Sequence, residues 1–151
     1  MRPTFANISS SALKHNLQRL RQYAPHAKIM AVVKTDAYGH GLLAVAQALN
    51  DADGFAVLSV DEAVQLRDAG IDRPILILSG PFEAQELHAV AGLELDIAVH
   101  SLQQLAWLES FKPRQRMSIH LNIDTGMHRL GLSMQEFQTA LDVLQRIPHL
   151  K

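Results

Sequence analysis

Lys34 is the residue whose setting points most directly to chemistry. It follows the apolar run Ala31-Val32-Val33 and precedes Thr35-Asp36-Ala37-Tyr38-Gly39-His40-Gly41, a polar and glycine-rich stretch that leads into a helical pattern from Leu42. A lysine leaving the end of a buried strand is partly desolvated. Desolvation favours the neutral amine, which is the form able to make a Schiff base. Gly39 and Gly41 would let the backbone approach a ligand closely, and Tyr38 sets a phenolic hydroxyl beside the lysine. A plainer reading, a surface lysine that merely closes a strand, fits the same spacing. The Gly-His-Gly turn is neither a dinucleotide fingerprint nor a phosphate-binding P-loop.

A second cluster stands at Leu121-Asn122-Ile123-Asp124-Thr125-Gly126-Met127-His128-Arg129-Leu130-Gly131. Here an apolar run ends in a glycine-punctuated loop that presents Asp124, His128 and Arg129. The guanidinium of Arg129 could bind a phosphate, a carboxylate or a phenolate through its fork of donors. It could equally form a structural pair with Asp124 that braces the loop. His120 and His128 come without a further ligand set at metal spacing, so no metal site is expected. His88, His100 and His149 stand singly and read as ordinary surface or core residues, and Trp107 reads as packing.

The elements that must position these groups follow from periodicity. Five short apolar segments, Ile29 to Val33, Phe55 to Val60, Ile75 to Leu78, Asp96 to His100 and Met117 to Ile123, have strand length and lack strict alternation, as strands buried on both faces do. Helical spacing lies between them. Leu13, Leu17 and Leu20 share a face behind an N-cap drawn from Ser9, Ser10 or Ser11. Ser59-Val60-Asp61-Glu62 and Ser133-Met134-Gln135-Glu136 read as capping boxes, with Gly70 stopping the first of these helices. Ser101 precedes a helix carrying Leu102, Leu105 and Leu108, and Phe137, Leu141 and Leu144 line one side of the last helix. Strand and helix alternate at intervals of roughly 20 to 26 residues, which predicts a parallel α/β sheet of crossover units. Either an open doubly wound sheet or part of a (β/α)8 barrel satisfies that pattern. A complete barrel takes about 250 residues, and five to six units are visible in this chain.

Composition narrows the function classes. The chain has 151 residues, 48% hydrophobic and 19% charged, with a formal net charge of -1 and no cysteine. Basic residues are scattered, so there is no footprint for nucleic acid or an anionic membrane. Apolar runs such as Ile75 to Leu78 are too short to span a bilayer. The opening Met1-Arg2-Pro3-Thr4-Phe5-Ala6-Asn7 lacks a signal-peptide core. A cytoplasmic protein is expected.

The two clusters also resemble the signatures of a known family. Lys34, Asp36, Ala37, Tyr38, Gly39, His40 and Gly41 stand where the pyridoxal-phosphate attachment motif of alanine racemases has them, with Thr35 in place of the more usual alanine. Asp124-Thr125-Gly126-Met127-His128-Arg129-Leu130-Gly131 resembles that family's second signature, and the likeness extends over essentially the whole chain, including Lys14-His15-Asn16-Leu17. The resemblance implies the N-terminal portion, over 1–151, of a (β/α)8 barrel that binds pyridoxal 5'-phosphate, with the remaining barrel strands and a β-rich domain outside this chain. It implies Lys34 as cofactor attachment point and catalytic base, Tyr38 and Arg129 as cofactor contacts, Arg129 also toward the substrate, and no metal. The implied reaction is abstraction and return of the α-proton of alanine, interconverting its L and D forms for peptidoglycan, in a homodimer whose partner supplies the second proton donor. Asn122 departs from the lysine, often carbamylated, that family members carry seven residues before the arginine; some relatives of broader substrate range share that pattern. A related pyridoxal-phosphate barrel, such as a decarboxylase or a cofactor carrier, and a non-catalytic scaffold are the rival readings.

Overall fold

β-Branched and leucine-rich runs too short for helices make the sheet. In the computed structural model, which describes residues 4–150, five parallel strands are formed: β1 (Met30–Val32), β2 (Gly54–Val57), β3 (Ile75–Ile77), β4 (Asp96–Val99) and β5 (Ile119–Leu121). Each lies beside its sequence neighbour, in the order β1-β2-β3-β4-β5. Met1 to Pro3, within the opening segment judged above to lack a signal core, and Lys151 lie outside the described residues.

Helices fill the connections. They are α1 (Ser10–Tyr23), the short α2 (Lys34–Gly39), α3 (Leu42–Ala48), α4 (Val60–Asp68), α5 (Glu86–Gly92), α6 (Leu102–Ser110) and α7 (Met134–Leu144). Right-handed crossovers that always step to the next strand in one direction leave every helix on the same side of the sheet. A doubly wound sheet instead reverses its strand order and places helices on both faces. The uninterrupted order is therefore the winding of a barrel, of which this chain builds five strands. A parallel bridge between Met117 and Leu150 begins further pairing on the free edge of β5, with Met117 N–H donating to His149 O at 2.8 Å.

The core sits between sheet and helices. Phe55, Val57, Ile75, Ile77, Ile97 and Val99 are sealed from solvent there, against Leu66, Leu87, Leu105 and Leu108 of the helices. Trp107 packs against the same cluster. Arg67 ties the opposite end of the sheet, donating to the carbonyls of Ile71, Arg73, Leu93 and Glu94 at 2.6 to 3.3 Å. In barrels that end serves stability, and the carboxyl ends of the strands carry chemistry.

Local corrections are informative. The segment expected as a strand from Phe55 to Val60 stops at Val57, because Ser59 caps α4 and Val60 is already its first residue. Ser9 is the cap of α1, accepting from Ala12 N–H at 3.2 Å. Ser133 and Glu136 form the full capping box expected of them. Ser59 and Glu62 form only half of one. Ser59 Oγ accepts from Glu62 N–H at 3.4 Å, while the Glu62 carboxylate reaches past the cap to Leu58 N–H at 2.9 Å.

Candidate functional site

Lys34 leaves β1 through Val33, which is buried, and its own side chain is half-buried. The turn that follows is not the simple glycine-led bend its composition suggests. Thr35, Asp36, Ala37 and Tyr38 all hold left-handed backbone, with φ of 52° to 57°. L-residues pay about 1–2 kcal/mol each for that conformation, so one complete left-handed turn persists only where its surroundings over-determine it. Those surroundings are visible. Ala37 is buried and donates its N–H to Val33 O at 2.9 Å, and Gly41 N–H donates to Asp36 O at 3.0 Å. Asp36 Oδ1 accepts from Leu42 N–H at 2.7 Å, which satisfies the first turn of α3. Asp36 N–H in turn donates to Glu62 Oε1 at 3.2 Å. Strained backbone of this kind gathers at functional sites.

The loop after β5 is closed on itself. Leu132 N–H donates to Asn122 O at 2.8 Å, and Asp124 N–H donates to Leu132 O at 3.0 Å. A Cβ on Gly131 would stand 2.5 Å from Asp124 N, so only glycine passes there. Asp124 does not brace Arg129, as one reading of the sequence had it. Its carboxylate accepts from Gly126 N–H at 2.9 Å, His128 N–H at 3.0 Å and His128 Nδ1–H at 2.7 Å. The backbone donors of His128 and Gly126, more than the imidazole itself, hold the Asp124 carboxyl down to a pKa of about 2. Arg129 is exposed.

These two strand ends meet around one cavity of about 480 Å³. Lys34, Ser79, Asn122, Asp124 and Arg129 line it, with Leu58, Leu78 and Leu130 among its apolar walls. Tyr38 does not line it. The residue is 59% exposed and its ring centroid lies 6.0 Å from Lys34 Nζ, near enough for a weak cation–π contact. Among the described residues, no group of three or more His, Asp or Glu side chains has the geometry to hold a metal ion, and no helix is long and apolar enough to cross a membrane.

Sequence reasoning did not single out Ser79 or Leu78, which belong to the loop after β3. Ser79 is 6% exposed, and its hydroxyl donates to Leu58 O and Gly80 O. Their place at a strand's carboxyl end was the available signal. His100, set aside as ordinary, donates from Nε2 to Ser79 O at 2.9 Å and so touches the cavity wall from behind.

The arrangement offers an amine and a guanidinium to one small polar ligand, with Asn122 as a neutral hydrogen-bonding partner. The alanine racemase N-terminal domain family matches residues 8–151. The chain belongs to this family. Over 135 residues it is 50% identical to the alanine racemase of Nitrosomonas eutropha, an alignment spanning 89% of this chain and 37% of that protein. It is 46% identical over 144 residues to the biosynthetic alanine racemase of Salmonella typhimurium, covering 95% of this chain and 39% of the relative. The crystal structure of biosynthetic alanine racemase from Pseudomonas aeruginosa superposes on the whole chain with a TM-score of 0.94 at 36% identity, over 42% of its own length. The chain thus spans about two fifths of the length of the relatives it matches.

Proposed function

We propose that this chain is the lysine-bearing barrel portion of a pyridoxal 5'-phosphate-dependent alanine racemase that interconverts L- and D-alanine. The observation that carries the reading is the convergence of Lys34 and Arg129, from two distant motifs, on one cavity. The donor set fits the cofactor: an amine for its aldehyde carbon and a guanidinium for its phenolic oxygen. When bound, pyridoxal phosphate supplies the sink for the electron pair left by the departing α-proton.

The chain's own residues have separable tasks. Lys34 Nζ would hold the cofactor covalently and would serve as the base that takes or returns the α-proton on one face. The left-handed turn, anchored through Asp36, keeps that nitrogen aimed from the strand end. Arg129 would donate toward the phenolic oxygen and the substrate carboxylate, while Tyr38 flanks the lysine from outside the cavity. Leu58, Leu78 and Leu130 give the cavity apolar walls. Of the lining residues, Asp124 is held ionised by its loop, so it is a poor proton donor for the opposite face. In this reading that donor comes from a part of the protein beyond this chain, as does the grip on the phosphate, in a cytoplasmic homodimer. Asn122 supports a second reading within the same chemistry, a racemase of broader amino-acid range, because a neutral amide leaves the Arg129 guanidinium without an anionic neighbour at that position.

The test is a visible absorption spectrum with added pyridoxal phosphate, before and after borohydride reduction, on the wild-type chain and on Lys34→Ala. A band that borohydride fixes to the peptide containing Lys34, and that Lys34→Ala abolishes, is the expected result. A band retained in Lys34→Ala, or no adduct at Lys34 at saturating cofactor, would overturn the reading for this chain.

A further inference from the structure

Two helices open with the same spacing, a serine cap and a long acceptor side chain three positions on: Ser59 with Glu62 in α4, and Ser101 with Gln104 in α6. In neither does the acceptor return to the cap's own N–H. Glu62 takes Leu58 N–H and Gln104 takes His100 N–H, each at 2.9 Å and each one residue ahead of the serine. At α7 the same spacing closes normally, Glu136 accepting from Ser133 N–H at 2.8 Å. The offset in α4 and α6 carries the side chain toward the neighbouring strand's loop. Glu62 thereby meets Asp36 of the left-handed turn.

Gln104 goes further, because its amide also donates. Gln104 Nε2 gives hydrogen bonds to Ser79 O and Pro81 O, both at 3.1 Å, and His100 Nε2 adds a second donor on Ser79 O at 2.9 Å. Three N–H groups thus meet two carbonyls that flank Gly80. A Cβ on Gly80, whose φ is +63°, would stand 2.6 Å from Gln104 Nε2 and 2.2 Å from Ala98 O. The loop is therefore pressed onto Gln104, with no room for a side chain between them. Gln104 is only 4% exposed, so its loss would strand several polar groups away from water. The clamped segment, Ser79 with its neighbour Leu78, is the wall that the cavity shares with Lys34 and Arg129.

We propose that Gln104 is a positioning residue of this cavity: from the first turn of α6, together with His100, it locks the loop after β3 into the shape that forms the wall beside Lys34. Gln104 lies behind that wall and acts through the carbonyls of Ser79 and Pro81. The clamp itself stands on the hydrogen bonds; its consequence for the ligand rests on the reading of the cavity as the pyridoxal-phosphate site.

The experiment compares Gln104→Met, which keeps volume and removes both polar ends, with Leu66→Val, a core substitution in α4 away from the cavity. The first readout is amide hydrogen exchange at Gly80 and Phe82, whose acceptors, Ile77 O and Glu86 Oε2, both variants retain. The second is the half-saturating concentration of pyridoxal phosphate for the borohydride-fixed adduct at Lys34. Gln104→Met is expected to speed exchange at both amides at least ten-fold and to raise the half-saturating concentration at least ten-fold; Leu66→Val is expected to do neither. Gln104→Glu gives a graded control that also serves if Gln104→Met does not fold. Its carboxyl donates to a carbonyl when neutral and repels both when ionised, so adduct formation relative to wild type at equal pH should recover as pH falls. Unchanged exchange in Gln104→Met, faster exchange with an unchanged half-saturating concentration, or a Gln104→Glu chain that tracks wild type at every pH would overturn the proposal. If the wild-type chain forms no adduct at Lys34, the cofactor reading fails on its own, and exchange at Gly80 and Phe82 still decides the clamp.

Discussion

Thr35→Gly should stabilise this protein, contrary to what its place beside a helix start would suggest. Thr35 holds φ 55° and ψ 57° and is exposed, so its side chain buries nothing. A left-handed conformation costs an L-residue about 1–2 kcal/mol, and β-branching puts threonine at the upper end. Glycine removes that cost and adds roughly 0.4–1 kcal/mol of chain entropy to the unfolded state, which opposes the gain. The net expectation is a stabilisation of about 0.5–1 kcal/mol, or about 1–4 °C in Tm for a domain of this size. Urea unfolding followed by circular dichroism measures it, with an unchanged slope against denaturant showing that the same transition is compared. Had Thr35 been in an ordinary right-handed turn, glycine would cost about 0.5–1 kcal/mol instead. A midpoint shifted downward by that amount would refute the left-handed assignment and the strain argued from it.

The loop that presents Arg129 should lose its Asp124 hydrogen bonds in acid. Asp124 titrates near 2 in the folded chain against an ordinary 3.8, so its contribution is complete above about pH 4 and is lost as pH falls through the folded value. The amide resonances of Gly126 and His128 should therefore move with a midpoint near 2, and a midpoint at the ordinary value would show that the three hydrogen bonds do not form in solution. Glu62→Ala should release the amides of Asp36 and Leu58, speeding their hydrogen exchange several-fold at a global cost of about 1 kcal/mol. Protection unchanged at both amides would remove Glu62 from its role in holding the turn.

What could be read directly from the residues was whatever depends on local composition. The apolar runs around Val33, Ile75 and Ile97 exclude water on two sides and had to become buried strands. Serine followed by glutamate three positions later had to open helices. The polar, glycine-bearing stretches after Val33 and Leu121 had to be loops at strand ends, and their residue order carried the family resemblance. Three features depended on what lies across space. The winding direction is set by which strand pairs with which, and no single segment encodes it; only the observed order distinguishes a barrel from a doubly wound sheet. The left-handed turn of Thr35 to Tyr38 contradicts local preference and exists because Asp36, Glu62 and the burial of Ala37 together outweigh it. Asp124 chose His128 over Arg129 because the loop's return to Asn122 brings the backbone N–H groups of Gly126 and His128 onto the carboxylate and leaves Arg129 free to face the cavity. Gln104 shows the same limit from the other side: its type is unremarkable in sequence, and its part in the site comes wholly from the loop that folding lays against it.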